Sequence, residues 1–458
     1  MEINLHDALR NLGRIYRHLL ETKSNRRLFL VGGAIRDLLI GRKPADFDFA
    51  VSGSGVEFAR EFARTVRGKL VVLSPENDEA RVVYRKKLII DFNGIGNQPI
   101  VEDLKRRDFT LNALACELSA ANTLIDPFGG RVDISQKLIR PVSAESLVLD
   151  PLRLLRAFRL ALELDFTVDP AVYQQAKTIT LKNTAAERIG TELLRILQAN
   201  NSLPYLKKLA ELQLWEEVIP ELIPLLKDEE LLAHTFRTIE KIEELISQPS
   251  FFSRFAAEGQ NYFSYPNRPA LLKLAALFHD IAKPHTRFIN ESGETHFYGH
   301  DRLGAKLTKK ICHERLRLSR EWTKIVWTLV KEHMRLHLLA TAPDLSDRAI
   351  RRFFRDLNAE AFGLMLLCYA DGWATAGRTT HLETTISRMI FQKRAEDARV
   401  KVKRLITGDD LIAFGMKPGP AFKVILHELE DLQIEGKIKT KEEGLEYLQA
   451  ILIREAER

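Results

Sequence analysis

Strand-like runs crowd into the first third of the chain and then almost vanish. "LFLVGGA", "DFDFAV", "KLVVL", "RVVYRKKLIIDF" and "TLNALACEL" come first, with helical patterns between them. After the Gly-Gly turn of "DPFGGRVDISQKLIRPV", the chain reads as helix after helix from about Asp150 onward. This order predicts an α+β head, a mixed sheet with helices, followed by an all-α body. Breaks near 200–205, 248–269 and 340–346 divide that body, and no internal repeat is visible. A length of 458 residues leaves room for about two to four domains.

The stretch "FLVGGAIRDLLIGRKPADFDFAVSG" carries the first chemistry. A Gly-Gly pair between a strand and a helix lets backbone approach a phosphate, because no Cβ blocks the way. Arg36, in the helix that follows, can reach the same anion. Asp46 and Asp48 alternate with phenylalanines, and residues two apart on a strand share a face. Two carboxylates on one face suit Mg²⁺, which bridges carboxylates to substrate phosphates and clamps an in-line displacement. An exposed polar face on an edge strand is the plain alternative, and the phosphate turn beside the aspartates weighs against it.

Composition narrows the partners. Lys and Arg outnumber Asp and Glu by 69 to 62, a net charge of +7 that weakly favours a polyanion. Three scattered cysteines, Cys116, Cys312 and Cys368, are too few for a disulfide framework or a thiolate zinc site. The amphipathic opening "MEINLHDALRNLGRIYRHLL" has no apolar signal core, and no run is long enough to span a membrane. A cytoplasmic, reduced setting is the expectation. A purely RNA-binding role is disfavoured, since paired carboxylates would repel the RNA backbone without a cation between them.

"LVGGAIRDLLIG…DFDFAV" resembles motif A of the class II tRNA nucleotidyltransferases and bacterial poly(A) polymerases, in the DNA polymerase β superfamily. "EDLKRRDFTLNALA" (102–115) resembles that family's RRD motif, and "DPFGGRVDI", "DPLRLLRAFRLALEL" and "ERIGTELLRIL" resemble the segments that follow, in the same order. The resemblance implies transfer of a nucleotide from CTP or ATP to the 3′ hydroxyl of tRNA. Asp46 and Asp48 would be catalytic and hold Mg²⁺. Gly32, Gly33, Arg36, Asp37, Arg107, Asp108 and Asn112 would bind the nucleotide, and Asp150 with Arg153 would read its base. Asp150 is equally a helix N-cap, with Pro151 in the first turn. One position departs from the family, which usually has an acid where this chain has Leu149. Arg153, Arg156 and Arg159 form a ridge at i, i+3, suited to triphosphate or RNA. Arg188 and Glu192, at i, i+4, read as a helix pair bracing the neck.

A second constellation follows the order His234, His279-Asp280, His300, His333, Asp371 on successive helical segments. Imidazoles and carboxylates converging from several helices suit a transition metal that activates water. The order resembles the HD phosphohydrolase domain, which implies Ni²⁺, Mn²⁺ or Fe²⁺; His296 and His337 are read as bystanders. The chain then divides into a nucleotidyltransferase head (1–141), a base-reading and RNA-binding helical neck (142–215), an HD-type domain (216–395) and a C-terminal RNA-binding region (396–458). "GDDL" and "KPGP" read as turns opening helices there.

Three products stay open: complete CCA addition, partial CC or A addition, and poly(A) tailing. Many CCA-adding relatives carry a longer loop where this chain has only "FNGIGNQPIV", between Asp91 and Glu102, and that resembles the CC-adding group. The ending "AILIREAER" lacks the long basic extension of many poly(A) polymerases. A metal-dependent phosphohydrolase whose head merely binds nucleotide is the alternative of another class. Oligomeric state is not legible.

Overall fold

The structure, a computed structural model, describes residues 13–85, 88–118, 124–398 and 404–456. The opening amphipathic stretch as far as residue 12 lies outside the described residues. The chain separates into two compact units, residues 1–333 with 366–377, and residues 334–365 with 378–458.

In the first unit, helix α1 (Arg14–Lys23) precedes a seven-stranded mixed sheet. Its strands are β1 (Leu28–Val31), β2 (Phe47–Ser52), β3 (Lys69–Ser74), β4 (Glu79–Tyr84), β5 (Leu88–Gly96), β6 (Ala115–Glu117) and β7 (Leu124–Ile125). They lie in the order β3-β4-β5-β2-β1-β6-β7, with β2 and β5 parallel and the other neighbours antiparallel. The single run "RVVYRKKLIIDF" thus supplies two strands, paired from Val82 with Ile90 to Tyr84 with Leu88.

Alternation decides the two faces of β2. Phe47, Phe49 and Val51 enter one core with Phe92 of β5 and with Phe58 and Phe62 of α3 (Gly55–Val66). Phe92 lies 5.7, 5.0 and 5.4 Å, centroid to centroid, from Phe49, Phe58 and Phe62. Truncating such a buried ring to alanine costs about 3–5 kcal/mol. Ser54 caps α3 by accepting from Glu57 N–H, and Arg67 ends it in a left-handed conformation. The opposite face carries Asp48 and then Ala50, the latter in a smaller core with Ile100 and Leu104 of α4 (Ile100–Lys105).

Among the described residues the body is helical, apart from two pairs of two-residue strands. β8 (Leu138–Ile139) runs parallel to β9 (Thr167–Val168), and β10 (Phe288–Ile289) forms a hairpin with β11 (Thr295–His296). In the second unit, Ile406, Leu411, Ile425, Leu429, Leu432, Ile438 and Leu448 form a core. Asp431, 3% exposed, accepts from Arg351 and Arg355 there. The turns expected in this region do open helices. Thr407 and Asp410 build a capping box before Gly408–Ala413, and Gly419 precedes Pro420–Ile434. Among the described residues no helix is long and apolar enough to cross a membrane.

Candidate active site and metal centre

The parallel register of β2 and β5 places Asp48 directly opposite Asp91. Their neighbours Phe47, Phe49, Ile90 and Phe92 point into the core, so the two carboxylates share the other face. Sequence patterning missed Asp91, although "LIIDF" shows the same apolar alternation that marked Asp48. Asp46 stands one residue ahead of β2 and is exposed, so strand geometry positions Asp48 and not Asp46. Its charge still bears on the site. Burial pushes the Asp48 carboxyl above the usual range, Asp91 and Asp46 push it further, and Arg107 and Arg81 oppose them. Arg81 grips Asp91 with two hydrogen bonds of 2.8 Å. A carboxylate held against two like charges fits a divalent cation, which would relieve the repulsion.

Gly32 opens α2 (Gly33–Leu39) at φ +76°, and a Cβ there would lie 2.7 Å from Arg107 Nη1. The positive φ calls for glycine, and a Cβ would also push the end of the Arg107 side chain aside. Arg107 is held by Asp103 at 3.0 Å, leaving its guanidinium over the Gly-Gly turn and beside Asp48. Asp48, Asp91, Arg107, Asp150, Arg153 and Arg188 contribute to the lining of a cleft of about 1420 Å³.

Five other residues expected at the nucleotide form a chain of hydrogen bonds and one ion pair. Arg36 donates to Asp37 Oδ1 (2.7 Å) and to Asn112 Oδ1 (2.8 Å). Asn112 donates to Asp108 Oδ1 (3.0 Å), and Arg156 lies 3.3 Å from Asp108 Oδ2. Gly33 packs against the Arg36 guanidinium. This chain braces α2 against the segment that follows Arg107. Burial pushes Asp108 up, but Arg156, Asn112 and the Phe109 N–H together hold it below the usual carboxylate range.

The arginine ridge is divided in the same way. Helix α5 begins at Arg153 and runs to Leu164, and Asp150 Oδ1 accepts from Leu152 N–H ahead of it at 3.3 Å. Arg153 does not extend a free fork. It donates to the carbonyls of Arg106 (2.6 Å), Arg107 (3.1 Å) and Ser146 (3.1 Å) and to Ser146 Oγ (2.8 Å). Arg159, expected at the nucleotide, lies deeper than Arg153 and Arg156. It is 7% exposed and paired with Glu192 (2.7 Å) and Glu163 (2.6 Å). The expected Arg188–Glu192 pair is replaced too. Helix α6 (Ala186–Gln198) packs along α5, which gives Glu192 to Arg159 and leaves Arg188 to reach Asp150 Oδ2 at 2.7 Å.

A second cluster is buried among helices. It comprises His234 of α7 (Glu229–Ser247), His279 and Asp280 just after α8 (Arg268–Phe278), His300 opening α9 (His300–Lys310), His333 of α10 (Arg320–Thr341) and Asp371 of α11 (Ala361–Ala376). His279, His300 and His333 each hold Nδ1 at 2.6–2.7 Å from the carbonyl three residues earlier. With Nδ1–H donating there, each Nε2 is a bare lone pair. These lone pairs converge: His234 and His279 Nε2 lie 3.2 Å apart, and His300 and His333 Nε2 lie 3.0 Å apart. Asp280 stands between the pairs, with Oδ2 at 3.2 Å from His279 and Oδ1 at 3.7 Å from His300. Asp371 lies 3.1 Å from His234. Two donor triads, His234–His279–Asp280 and Asp280–His300–His333, share one carboxylate.

Lys283 meets Asp280 Oδ2 at 2.7 Å from one side, and the gathered imidazole nitrogens and carboxylate oxygens form a donor set that fits a divalent metal. Burial and the neighbouring His279 push His333 down to about 4, which keeps it neutral as a ligand must be. Burial lowers His279 as well, but Asp280 and Asp371 outweigh it and raise that imidazole. His296, read as a bystander, instead meets the Asn290 amide at 3.0 Å.

The sheet, its carboxylates and the helical cluster of histidines and aspartates define a nucleotidyltransferase head joined to an HD domain. A family described as "Poly A polymerase head domain" matches residues 28–93 and 91–140. "Probable RNA and SrmB- binding site of polymerase A" matches 165–226, and "HD domain" matches 231–371. An A-adding tRNA nucleotidyltransferase of Deinococcus radiodurans is 31% identical, over 92% of this chain and 94% of the relative. A CC-adding tRNA nucleotidyltransferase of Thermus thermophilus is 32% identical, over 92% of each. The solved Thermotoga maritima CCA-adding enzyme complexed with tRNA superposes with a TM-score of 0.64 at 22% identity, covering 99% of this chain and 100% of that one. This chain belongs to the tRNA nucleotidyltransferase family.

Proposed function

We propose that the cleft binds CTP or ATP and that the chain extends the 3′ end of tRNA by a partial CCA sequence, the two cytidines. The observation that carries the catalytic part is the in-register pair Asp48 and Asp91, with Asp46 adding charge beside them. Asp48, Asp91 and Asp46 would hold Mg²⁺, which when bound supplies charge neutralisation for the leaving pyrophosphate and activation of the 3′ hydroxyl. Arg107, poised over Gly32, binds the triphosphate. Arg36, Asp37, Asn112, Asp108 and Arg156 hold the turn on which that phosphate site depends. Asp150 accepts a hydrogen bond from the base, and the neck and C-terminal helices carry the tRNA.

The choice of nucleotide is supported by relatives and by one connection. Solved structures of CCA-adding enzymes with CTP and with ATP share this fold. Between β5 and α4 only Asn97–Pro99 intervene, closed by a Gln98 N–H to Ile95 carbonyl bond of 3.0 Å. So short a connection leaves little to rearrange between cytidine and adenosine, and it matches CC addition. The Deinococcus relative supports addition of A as the second reading. Sizing the product on tRNA lacking its 3′ end and on tRNA ending in CC, with CTP, ATP or both, separates them. Two added cytidines without A support the proposal. One A on the CC-ended tRNA, with no C incorporated, overturns it, and long homopolymer tails would place the chain with the poly(A) polymerases.

The HD cluster would hold Ni²⁺, Mn²⁺ or Fe²⁺, whose chemistry when bound is activation of a water for phosphoester hydrolysis. His234, His279, His300, His333, Asp280 and Asp371 supply the ligands. Buried free cysteines and a tRNA substrate support a cytoplasmic setting.

A further inference from the structure

We infer that Arg81 is a positioning residue for the transfer reaction, aiming Asp91 at the side of the cation site where the 3′ hydroxyl enters; the inference rests on the reading of Asp48 and Asp91 as that site. One register row crosses four strands on the face opposite the phenylalanine core. Arg81 of β4 stands opposite Asp91 of β5, Asp91 opposite Asp48 of β2, and Asp48 opposite Val31 of β1. Neighbouring strands lie about 4.8 Å apart, so the row sets Arg81 at one end and the turn after Val31 at the other. At that turn a Cβ on Gly32 would lie 2.7 Å from Arg107 Nη1 and 3.5 Å from Asp48 Oδ2. The carboxylate pair therefore has a guanidinium on each side.

The two guanidiniums are held differently. Arg107 is fastened by Asp103 and hangs over the Gly-Gly turn. Arg81 turns its fork on the carboxylate itself: Nε donates to Asp91 Oδ1 and Nη2 to Asp91 Oδ2, each at 2.8 Å. An ionised carboxylate offers about four lone-pair sites. This grip takes one on each oxygen, fixes the plane of the group and leaves the others for a cation shared with Asp48. In-line transfer puts the entering and leaving oxygens on opposite sides of the phosphorus. With the triphosphate on Arg107, pyrophosphate leaves at the Asp48 end of the row and the 3′ oxygen approaches from the Asp91 end. That oxygen bonds to the α-phosphorus, the bond to the α–β bridging oxygen breaks with its electron pair going to pyrophosphate, and the hydroxyl proton passes to water. Arg81 touches none of these atoms. It acts through Asp91, whose rotation it restricts, and a displacement of about 1 Å there costs on the order of 100-fold in rate.

The Arg81 side chain is 39% exposed and joins Asp91 as a cross-strand pair, so its replacement spares the fold. The test measures single-nucleotide addition to tRNA with CTP and Mg²⁺ and, separately, calorimetric titration with Ca²⁺, an ion that takes oxygen ligands and not the imidazole-rich HD set. Arg81→Gln is expected to lower kcat about 10- to 100-fold and to leave KM for CTP where it is. It should bind Ca²⁺ at least as tightly as the unmodified protein, because a positive charge beside the site is gone. Arg81→Lys should bring the Ca²⁺ affinity back, because the charge returns, but not kcat, because the fork does not. In an Asp91→Asn background Arg81→Gln should cost nothing further, since both changes act on one carboxylate. An unchanged kcat, a raised KM for CTP in its place, or costs that add in the double variant would overturn the inference. If Asp91→Asn alone keeps both the rate and the Ca²⁺ affinity, the reading of the cation site fails and the inference falls with it.

Discussion

Asp48 on β2 and Asp91 on β5 face each other across the sheet's parallel strand pair, in a register where one residue of slip by either strand would turn that strand's carboxylate to the core face. The phenylalanines on either side of each aspartate lock that register, because Phe49, Phe92, Phe58 and Phe62 fill one core. Hydrophobic burial on one face therefore fixes the placing of the carboxylates on the other.

Neutralising either carboxylate should show this directly. Asp48→Asn and Asp91→Asn keep the shape and remove the charge, and each is expected to lower nucleotide incorporation at least about 100-fold, since a bound cation contributes several kcal/mol. Incorporation at the unmodified rate by Asp91→Asn would remove that residue from the cation site.

Gly32 sits in a backbone conformation that strains any side chain. Gly32→Ala places a Cβ 2.7 Å from Arg107 Nη1 and forces alanine to φ +76°. The strain should cost about 1–3 kcal/mol of stability. Displacement of Arg107 should also raise KM for the triphosphate, which steady-state kinetics at saturating tRNA would resolve.

The buried pair of Arg159 and Glu192 separates a structural arginine from a nucleotide-binding one. Glu192→Gln removes one of the two carboxylates that pair with buried Arg159 and leaves Glu163, and unfolding should become easier by about 1–3 kcal/mol. Denaturant midpoints measure that change. KM for CTP should stay where it is, and a large rise would return Arg159 to the nucleotide site.

Asp108 gives the head an acid-sensitive joint. Its folded-state value lies below the ordinary carboxylate value of about 3.9, so the stability it contributes is complete above that pH and fades as pH falls through the folded value. Asp108→Asn should flatten this part of the acid unfolding curve followed by circular dichroism. Equal steepness for the two proteins would mean that Asp108 is not ionised in the fold.

The HD cluster should bind metal measurably. Chelator-treated protein supplied with Mn²⁺ or Ni²⁺ at 100 times Kd should gain about 2.7 kcal/mol in stability and a higher Tm. His279→Ala and His333→Ala, which remove one ligand from each triad, should reduce the gain. A Tm indifferent to metal in the unmodified protein would leave the converging lone pairs unexplained.

Much of this was legible in the residues alone. The alternation in "DFDFAV" marked a strand with one acidic face, and the order of histidines and aspartates from His234 to Asp371 marked side chains that converge from several helices. The caps at Thr407 and Gly419 likewise follow from neighbouring letters. Such features arise from local periodicity, where each residue's direction depends on its own helix or strand. Only the tertiary structure added Asp91 to Asp48, gave Arg188 to Asp150 across 38 residues of chain, drew Arg159 into the interior and committed Arg153 to backbone carbonyls. Those partners were decided by strand register and by the packing of α6 along α5, contacts between distant segments that no local period encodes, and a charged group takes whichever opposite charge the packed chain brings within hydrogen-bond reach.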